Sequence, residues 1–223
     1  MGAFMRSLKY ASFRAGRVIG ITAGMSVGFV FYFTFLNGES FTVENLISRF
    51  PLMLIFIANL MFLIYGMVDV ASYVPLTLSY GSTRKAAFFS NLYMQALQIL
   101  SVEILLWLCF KCIPRAYFSE HTDGNLLCAV ALCIFLLGCG IALPCGVLIS
   151  RFGKTAYIIV VVLASVGGGM FGALIGFREM SSWLVEWLEK FINVPTIVGI
   201  GFGWYILMNV LFYLGLRKYE VRV

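Results

Sequence analysis

The sequence predicts an all-α membrane protein with six transmembrane helices and both termini in the cytoplasm. Composition is the first observation behind this prediction. Of 223 residues, 61% are hydrophobic and 12% are charged, whereas a soluble domain has about 45–50% apolar and about 25% charged residues. The second observation is a set of six apolar runs, each near the roughly 20 residues that a helix needs to cross about 30 Å of hydrocarbon. The third is the uneven distribution of cations among the loops.

Each apolar run is expected to form an α-helix, because lipid offers the backbone no hydrogen-bond partner. The connections between the runs are too short to hold a soluble domain, so residues 1–223 are predicted to form one transmembrane domain. The predicted spans are Val18–Leu36, Pro51–Asp69, Asn91–Phe110, Leu126–Ile149, Ala156–Gly176 and Ile197–Leu214.

Charge alternates from one loop to the next. The N-terminal segment, the second and fourth loops and the C-terminal tail hold most of the cations, and the other three loops hold most of the acidic residues. The positive-inside rule therefore places both termini in the cytoplasm, and the net charge of +6 follows from topology without a nucleic-acid partner. The cations on the predicted cytoplasmic side are Arg6, Lys9, Arg14, Arg17, Arg84, Lys85, Arg151, Lys154, Arg217, Lys218 and Arg222.

Two segments outside the spans are amphipathic. Residues 1–17 place Phe4 and Leu8 on one face and cations on the other, which predicts a helix along the inner leaflet, attracted to anionic lipid. Residues 177–195 place Trp183 and Trp187 opposite acidic residues. This second helix is predicted to lie in the outer interface, either as an anchor or as a lid over a pathway.

Small residues recur every four positions along the predicted fifth span, at Ala164, Gly168, Gly172 and Gly176. Such a stripe lets another helix backbone approach closely. The sequence leaves open whether that helix belongs to the same chain or to a second subunit.

Polar residues within the spans are candidates for a transport pathway, and the two singled out are Asn59 and Glu103. A carboxylate near the bilayer centre costs about 2.5–3.5 kcal/mol on insertion scales, so Glu103 is either functional or paired with Lys111 or Arg115. Asp69 lies near the cytoplasmic end of its span and is assigned no role.

The sequence predicts neither catalysis nor a metal site in this chain. His121 is the one histidine, and the six cysteines lack metal-ligand spacing, so they are interpreted as packing residues. Residues 151–155, Arg-Phe-Gly-Lys-Thr, resemble the end of a phosphate-binding loop. That motif requires a glycine at position 148, where this chain has Leu148, so a tight basic turn is predicted instead.

The stretch at residues 76–90 breaks a long apolar pattern and then restarts a helix. Pro75 is predicted to end the regular second helix. Gly81 allows a sharp turn, and Ser82 or Thr83 is expected to cap the next helix.

Arg84 and Lys85 occupy the first turn of that new helix, where cations oppose the helix dipole. Topology alone explains two cations, but it does not explain the Gly-Ser-Thr break or the aromatic pair Phe88 and Phe89. A short, basic and aromatic helix start is suited to an acidic groove on another protein.

The sequence Leu-Thr-Leu-Ser-Tyr-Gly-Ser-Thr-Arg-Lys-Ala-Ala-Phe-Phe, residues 76–89, resembles the first cytoplasmic loop of small permeases of the ABC type-2 exporter family. In that family the pattern is Leu-Ser-aromatic-Gly-x-[Ser/Thr]-Arg-[Lys/Arg], followed by an aromatic residue. The six spans, the N-terminal helix and the basic tail extend the resemblance over most of the chain. In this family the loop is a coupling helix that docks into a separate ATPase subunit. The resemblance implies coupling roles for Gly81, Ser82, Thr83, Arg84, Lys85 and Phe88, with Phe89 as the alternative for the aromatic position.

The resemblance further implies a dimer of identical or different permease subunits in the bacterial plasma membrane, with the first and fifth helices at the subunit interface. ATP and Mg²⁺ would bind the partner ATPase, and this chain would hold no cofactor and not itself be an enzyme. The apolar spans favour an amphipathic substrate such as a peptide, a lipid or a drug, and antimicrobial peptide export or resistance is the first expectation. Two alternatives stay open: an ion-coupled secondary transporter or channel that uses Glu103, and a non-transporting membrane scaffold or sensor subunit.

Overall fold

The computed structural model of the chain describes residues 3–36, 38, 41–79, 83–112, 124–160, 162 and 194–217. Within these ranges the chain is helical and contains no strand. The helices are α1 Ala3–Leu36, α2 Val43–Val68, a π-helical turn Asp69–Tyr73, α3 Val74–Ser79, α4 Arg84–Cys112, α5 Gly124–Phe152, α6 at 154–160 and α7 Val194–Arg217.

Five helical segments in the described part of the chain are long and apolar enough to cross a membrane. They coincide with the first, second, third, fourth and sixth predicted spans. Most of the predicted fifth span, and residues 177–193 of the outer amphipathic segment, lie outside the described residues, so six spans stay a prediction. The five segments are Met5–Leu36, Leu46–Leu78, Arg84–Cys112, Gly124–Phe152 and Val194–Arg217.

Helix α1 is continuous over 34 residues, a length of about 51 Å at 1.5 Å per residue. No break separates the predicted inner-leaflet segment from the first span. One face of α1 packs against α2 and α4 through small residues, among them Ala11, Ala15 and Val18. Hydroxyls on the same face bond back to their own helix, as in the 2.8 Å bond from Ser26 Oγ to the carbonyl oxygen of Thr22.

The opposite face of α1 carries four glycines at a spacing of four residues. A Cβ added at any of them would meet no atom of the described chain within 4 Å. This open stripe, Gly16, Gly20, Gly24 and Gly28, was not singled out from the sequence.

The prediction that Pro75 ends the second helix is wrong. The regular α-helix changes at Asp69, six residues earlier, into a single π-helical turn, and α3 then continues through Pro75 to Ser79. A proline ring clashes with the carbonyl four residues before it in an α-helix. The wider turn just before Pro75 relieves that clash, so Leu46–Leu78 stays one helical segment.

Helix α5 lies at the centre of the bundle, between α2 and α7. Against α2 it presents Gly138, Ala142 and Gly146. A Cβ at Gly146 would lie 2.5 Å from the Val70 Cβ and 2.9 Å from the carbonyl oxygen of Met67. The two helices therefore touch at a distance that only small residues permit.

Helix α7 packs on the other side of α5 through similar close approaches. A Cβ at Gly140 would lie 3.1 Å from the Trp204 ring, and one at Gly201 would lie 3.1 Å from the Cys133 Cα. All six cysteines are free thiols and Cys139 is fully buried in the core. Cys139 therefore fits the interpretation as a packing residue, whereas Cys112 is exposed and does not.

Candidate functional site

Thr83 is the N-cap of α4. Its Oγ1 accepts a hydrogen bond from the Ala86 N–H at 3.2 Å, and its carbonyl oxygen accepts one from the Ala87 N–H at 3.0 Å. This geometry satisfies amide donors that the first helical turn leaves without partners. Of the two caps that the sequence allowed, Thr83 provides it. Gly81 and Ser82 lie outside the described residues.

Two arginines from different helices, α4 and α5, bind the carboxyl end of α7. Arg84 Nη1 donates to the carbonyl oxygen of Arg217 at 2.9 Å, and Arg151 Nη2 donates to that of Gly215 at 3.1 Å. The last carbonyls of a helix lack intrahelical partners and carry the negative end of its dipole. Both arginines therefore stabilise the end of α7 and tie it to the beginning of α4 and the end of α5.

The aromatic pair at the start of α4 is divided between inside and outside. Phe88 is half-buried and packs on α7, with its ring centroid 5.7 Å from that of Phe212 and 5.2 Å from that of Tyr213. Phe89 is exposed. Phe88 thus joins α4 to α7, and Phe89 is the aromatic side chain that faces outward beside Lys85.

A groove of about 430 Å³ lies where α4 begins and α7 ends. Its cationic lining comes from Arg84, Lys85 and Arg217, and Lys85 is exposed. The remaining lining is Thr83, Tyr213 and Leu216. Thr83, Arg84 and Lys85, three of the predicted coupling residues, therefore line one basic groove together with the end of α7.

A buried ion pair is the main polar feature that the sequence did not predict. Arg14 of α1 contacts the carboxylate of Asp69, which begins the π-helical turn and is 3% exposed. The Arg14 guanidinium also lies 3.5 Å from the centroid of the Tyr73 ring, a cation–π contact. Asp69 neutralises a cation that the sequence analysis had assigned to the lipid surface.

A small polar cavity of about 40 Å³ adjoins the pair. It has room for about three to four water molecules, since each needs some 10–15 Å³ of probe volume. Asn91 lines it with a buried Oδ1 that has no hydrogen-bond partner among the described residues. Ser7, Thr77 and Ser90 add hydroxyls to the lining. Water in this cavity would satisfy Asn91 and solvate the ion pair.

The two predicted pathway residues lie at separate places. Asn59 packs directly against Gly138, and its Oδ1 has no partner among the described residues. Glu103 has a buried Oε1 that is likewise unpartnered there, and Lys111, one of its expected partners, lies instead over the Trp107 ring at 5.7 Å. The structure therefore does not bring Asn59 and Glu103 together at one described site.

Deeper between α4 and α7, two polar side chains meet. The Tyr205 hydroxyl donates a 2.8 Å hydrogen bond to Gln95 Oε1, and both Gln95 and the nearby Gln98 are buried. The bond links the same two helices that Phe88 and Arg84 join closer to the basic groove. Three contacts of different chemistry thus fix α4 to α7.

The predicted stripe at Ala164, Gly168, Gly172 and Gly176 lies outside the described residues. Within the described part of the chain, no three His, Cys, Asp or Glu side chains are grouped to hold a metal. Arg14 and Asp69 are the functional candidates that sequence reasoning missed. The available indication was that Asp69 is the only acidic residue of its predicted span, while the N-terminal segment holds several cations.

Comparison with known proteins gives no match: no protein-family model, no curated protein and no solved structure matches this chain.

Proposed function

We propose that this chain is the membrane-spanning permease subunit of an ATP-driven exporter of the ABC type-2 class. The observation that carries the proposal is the junction at the start of α4. Thr83 caps the helix, Lys85 is exposed, and Arg84 binds the last carbonyl of α7. Force applied to this loop by a docked partner would reach two membrane helices at once.

The open glycine stripe on α1 supports a second permease subunit, identical or different. Close backbone approach between helices needs such a face, and the described chain leaves it uncovered. In this arrangement a separate ATPase binds ATP and Mg²⁺, and the permease supplies the pathway. An amphipathic peptide, lipid or drug is the proposed cargo, with antimicrobial peptide export as the first case to assay in the bacterial plasma membrane.

The test is co-purification of the tagged protein from its native host after gentle solubilisation. The variant Arg84→Glu/Lys85→Glu reverses the basic surface at the loop. The matched control Lys9→Glu/Lys154→Glu reverses two exposed cations elsewhere on the predicted cytoplasmic side. We expect an ATPase subunit to stay bound to the native chain and the control, and to be lost from the loop variant.

Arg84→Glu also removes the bond to Arg217, so the single variant Lys85→Glu is included to keep that contact. An ATPase retained equally by all variants would remove the coupling role from this loop. Absence of any ATPase from the native complex would remove the exporter proposal itself.

A second candidate function, an ion-coupled secondary transporter or channel, is favoured by the buried Arg14–Asp69 pair and the small cavity beside it. Ionisable residues inside a membrane mark ion or proton pathways by default. The chain reconstituted alone into liposomes, with an imposed proton gradient, tests this candidate. Solute flux without an ATPase, abolished by Asp69→Asn or Glu103→Gln, would favour it over the exporter.

A further inference from the structure

The outer side of the α4–α7 junction carries an apolar groove of about 570 Å³. From α4 it is lined by Phe88, Phe89 and Leu92, and from α7 by residues spaced one helical turn apart. Those α7 residues are Ile206, Val210 and Leu214, and each is about half exposed. A groove of this kind, between two long apolar helices, can hold an extended hydrocarbon chain.

The apolar groove adjoins the basic groove described above. Lys85 and Tyr213 line both of them, so the two adjoining grooves are together cationic at one end and apolar along the rest. Among the described residues that line the two grooves there is no carboxylate. The combined shape matches a molecule with an anionic head and an apolar tail.

At the cationic end, positive charge remains for a ligand after two arginines have bound the end of α7. The negative end of the α7 dipole would otherwise oppose an anion, but Arg84 and Arg151 already bind the carbonyls of Arg217 and Gly215. Lys85 adds an ammonium at the boundary between the two grooves. A lysine can bury the hydrocarbon part of its side chain against apolar surface while its ammonium stays in water.

We propose that the two adjoining grooves together are a binding site for one anionic phospholipid of the cytoplasmic leaflet. The phosphate lies at Lys85 and the Tyr213 hydroxyl, with Arg84 and Arg217 beside it, and one acyl chain lies along Phe89, Val210 and Leu214. Basic pockets between transmembrane helices on the cytoplasmic side are a recognised type of site for anionic lipid headgroups. Such a lipid would bridge α4 and α7 and stiffen the junction that the proposed coupling loop moves.

The inference does not rest on the proposed function, because its test uses this chain alone. The purified full chain is titrated with phosphatidylglycerol in phosphatidylcholine nanodiscs, and bound lipid is counted by native mass spectrometry. Loss of one cation near a membrane surface costs about 1 kcal/mol, so Lys85→Gln is expected to bind phosphatidylglycerol about fivefold more weakly. Val210→Trp, which fills the apolar groove, is expected to abolish the tightly bound lipid.

Matched controls separate the site from general lipid contact. Lys154→Gln removes an exposed cation at another turn, and Leu100→Trp enlarges an exposed apolar residue of α4 away from the groove. Neither control should change phosphatidylglycerol binding. Equal loss in the controls and the site variants would overturn the proposal in favour of non-specific attraction.

Three other results would also overturn the proposal, each by identifying a different occupant. Glycerol phosphate competing with the lipid, with Val210→Trp without effect, would indicate a soluble anion. A loss of thermal stability in Val210→Trp that is the same in pure phosphatidylcholine would indicate that another part of this chain fills the groove. A change of oligomeric state in that variant would indicate a second copy.

Discussion

Asp69 is a residue that the fold places beside a charged partner distant in the sequence. Its neighbours along the chain are apolar, yet its carboxylate lies against Arg14, whose guanidinium lies over the Tyr73 ring. Removing one partner of a buried ion pair leaves an uncompensated charge, whereas removing both partners avoids that penalty. The pair therefore couples the position of α1 to the π-helical turn.

Single substitutions at this pair are expected to destabilise the protein more than the double substitution does. Asp69→Ala or Arg14→Ala should each cost about 3 kcal/mol, with the double variant closer to the native chain than either single variant. Thermal and denaturant unfolding in detergent measures this. Arg17→Ala, which removes an exposed cation from the same helix, is the control and should change little. Additive single effects would show that the two side chains do not act as a pair.

At the scale of helices, small residues determine where two helices pack in close contact. Gly138, Ala142 and Gly146 on α5 admit Asn59, Gly66 and Val70 of the second span. The four glycines of α1 have the same spacing but meet no described atom. Spacing alone therefore does not distinguish an internal helix contact from an open face, and only the packed structure separates the two.

Gly146→Ala is expected to destabilise the bundle, because its Cβ would lie 2.5 Å from the Val70 Cβ and 2.9 Å from a backbone oxygen. Overpacking of this kind costs about 1–3 kcal/mol. The matched substitution Gly203→Ala in α7 meets no described atom within 4 Å and replaces a poor helix former, so folding stability should be unchanged or raised. Unfolding of both variants in the same detergent gives the comparison. Equal destabilisation would contradict the assigned α2–α5 contact.

The π-helical turn is a second feature of the helices whose position the sequence pattern did not give. Pro75 correctly indicates an irregularity, but the irregularity lies in the turn before it, where Asp69 and Val70 are buried. Isolated π-turns inside α-helices occur frequently at functional sites. Here the turn carries the buried carboxylate, so one local widening both accommodates the proline and presents Asp69 to Arg14.

For the whole molecule, the cation distribution predicts that the start of α4 and the turn at Gly153 face the cytoplasm. The structure agrees in placing Arg84 and Arg151 at the same end of the bundle, since both bind the carboxyl end of α7. Which side of the membrane that end faces stays a prediction.

Cysteine labelling of intact cells tests the predicted topology. In a background with exposed Cys112 replaced by Ala, Gly38→Cys should react with a membrane-impermeant maleimide from outside. Lys154→Cys should react only after the membrane is permeabilised. Gly38 and Lys154 are both exposed, so a difference in labelling reports the side of the membrane and not burial. The reverse pattern would invert the topology and place the basic groove outside.

The sequence by itself determined the helical class and the approximate positions of five candidate spans, because these depend on local properties. A run of about 20 apolar residues is sufficient to require a helix in lipid. The sequence also allowed Thr83 to be predicted as one of two possible caps, because a hydroxyl residue just before a helix is a local signal. The predicted fifth span, the outer amphipathic helix and the family resemblance stay predictions.

Only the tertiary structure decided which polar groups meet. Arg14 and Asp69 are 55 positions apart, and Arg84 lies far along the chain from the Arg217 carbonyl that it binds. No local pattern encodes such pairings, because the cost of burying a charge depends on what the fold places beside it. The same reason explains why Phe88 and Phe89, adjacent and chemically identical, differ in role: one packs into the α7 interface and the other faces outward.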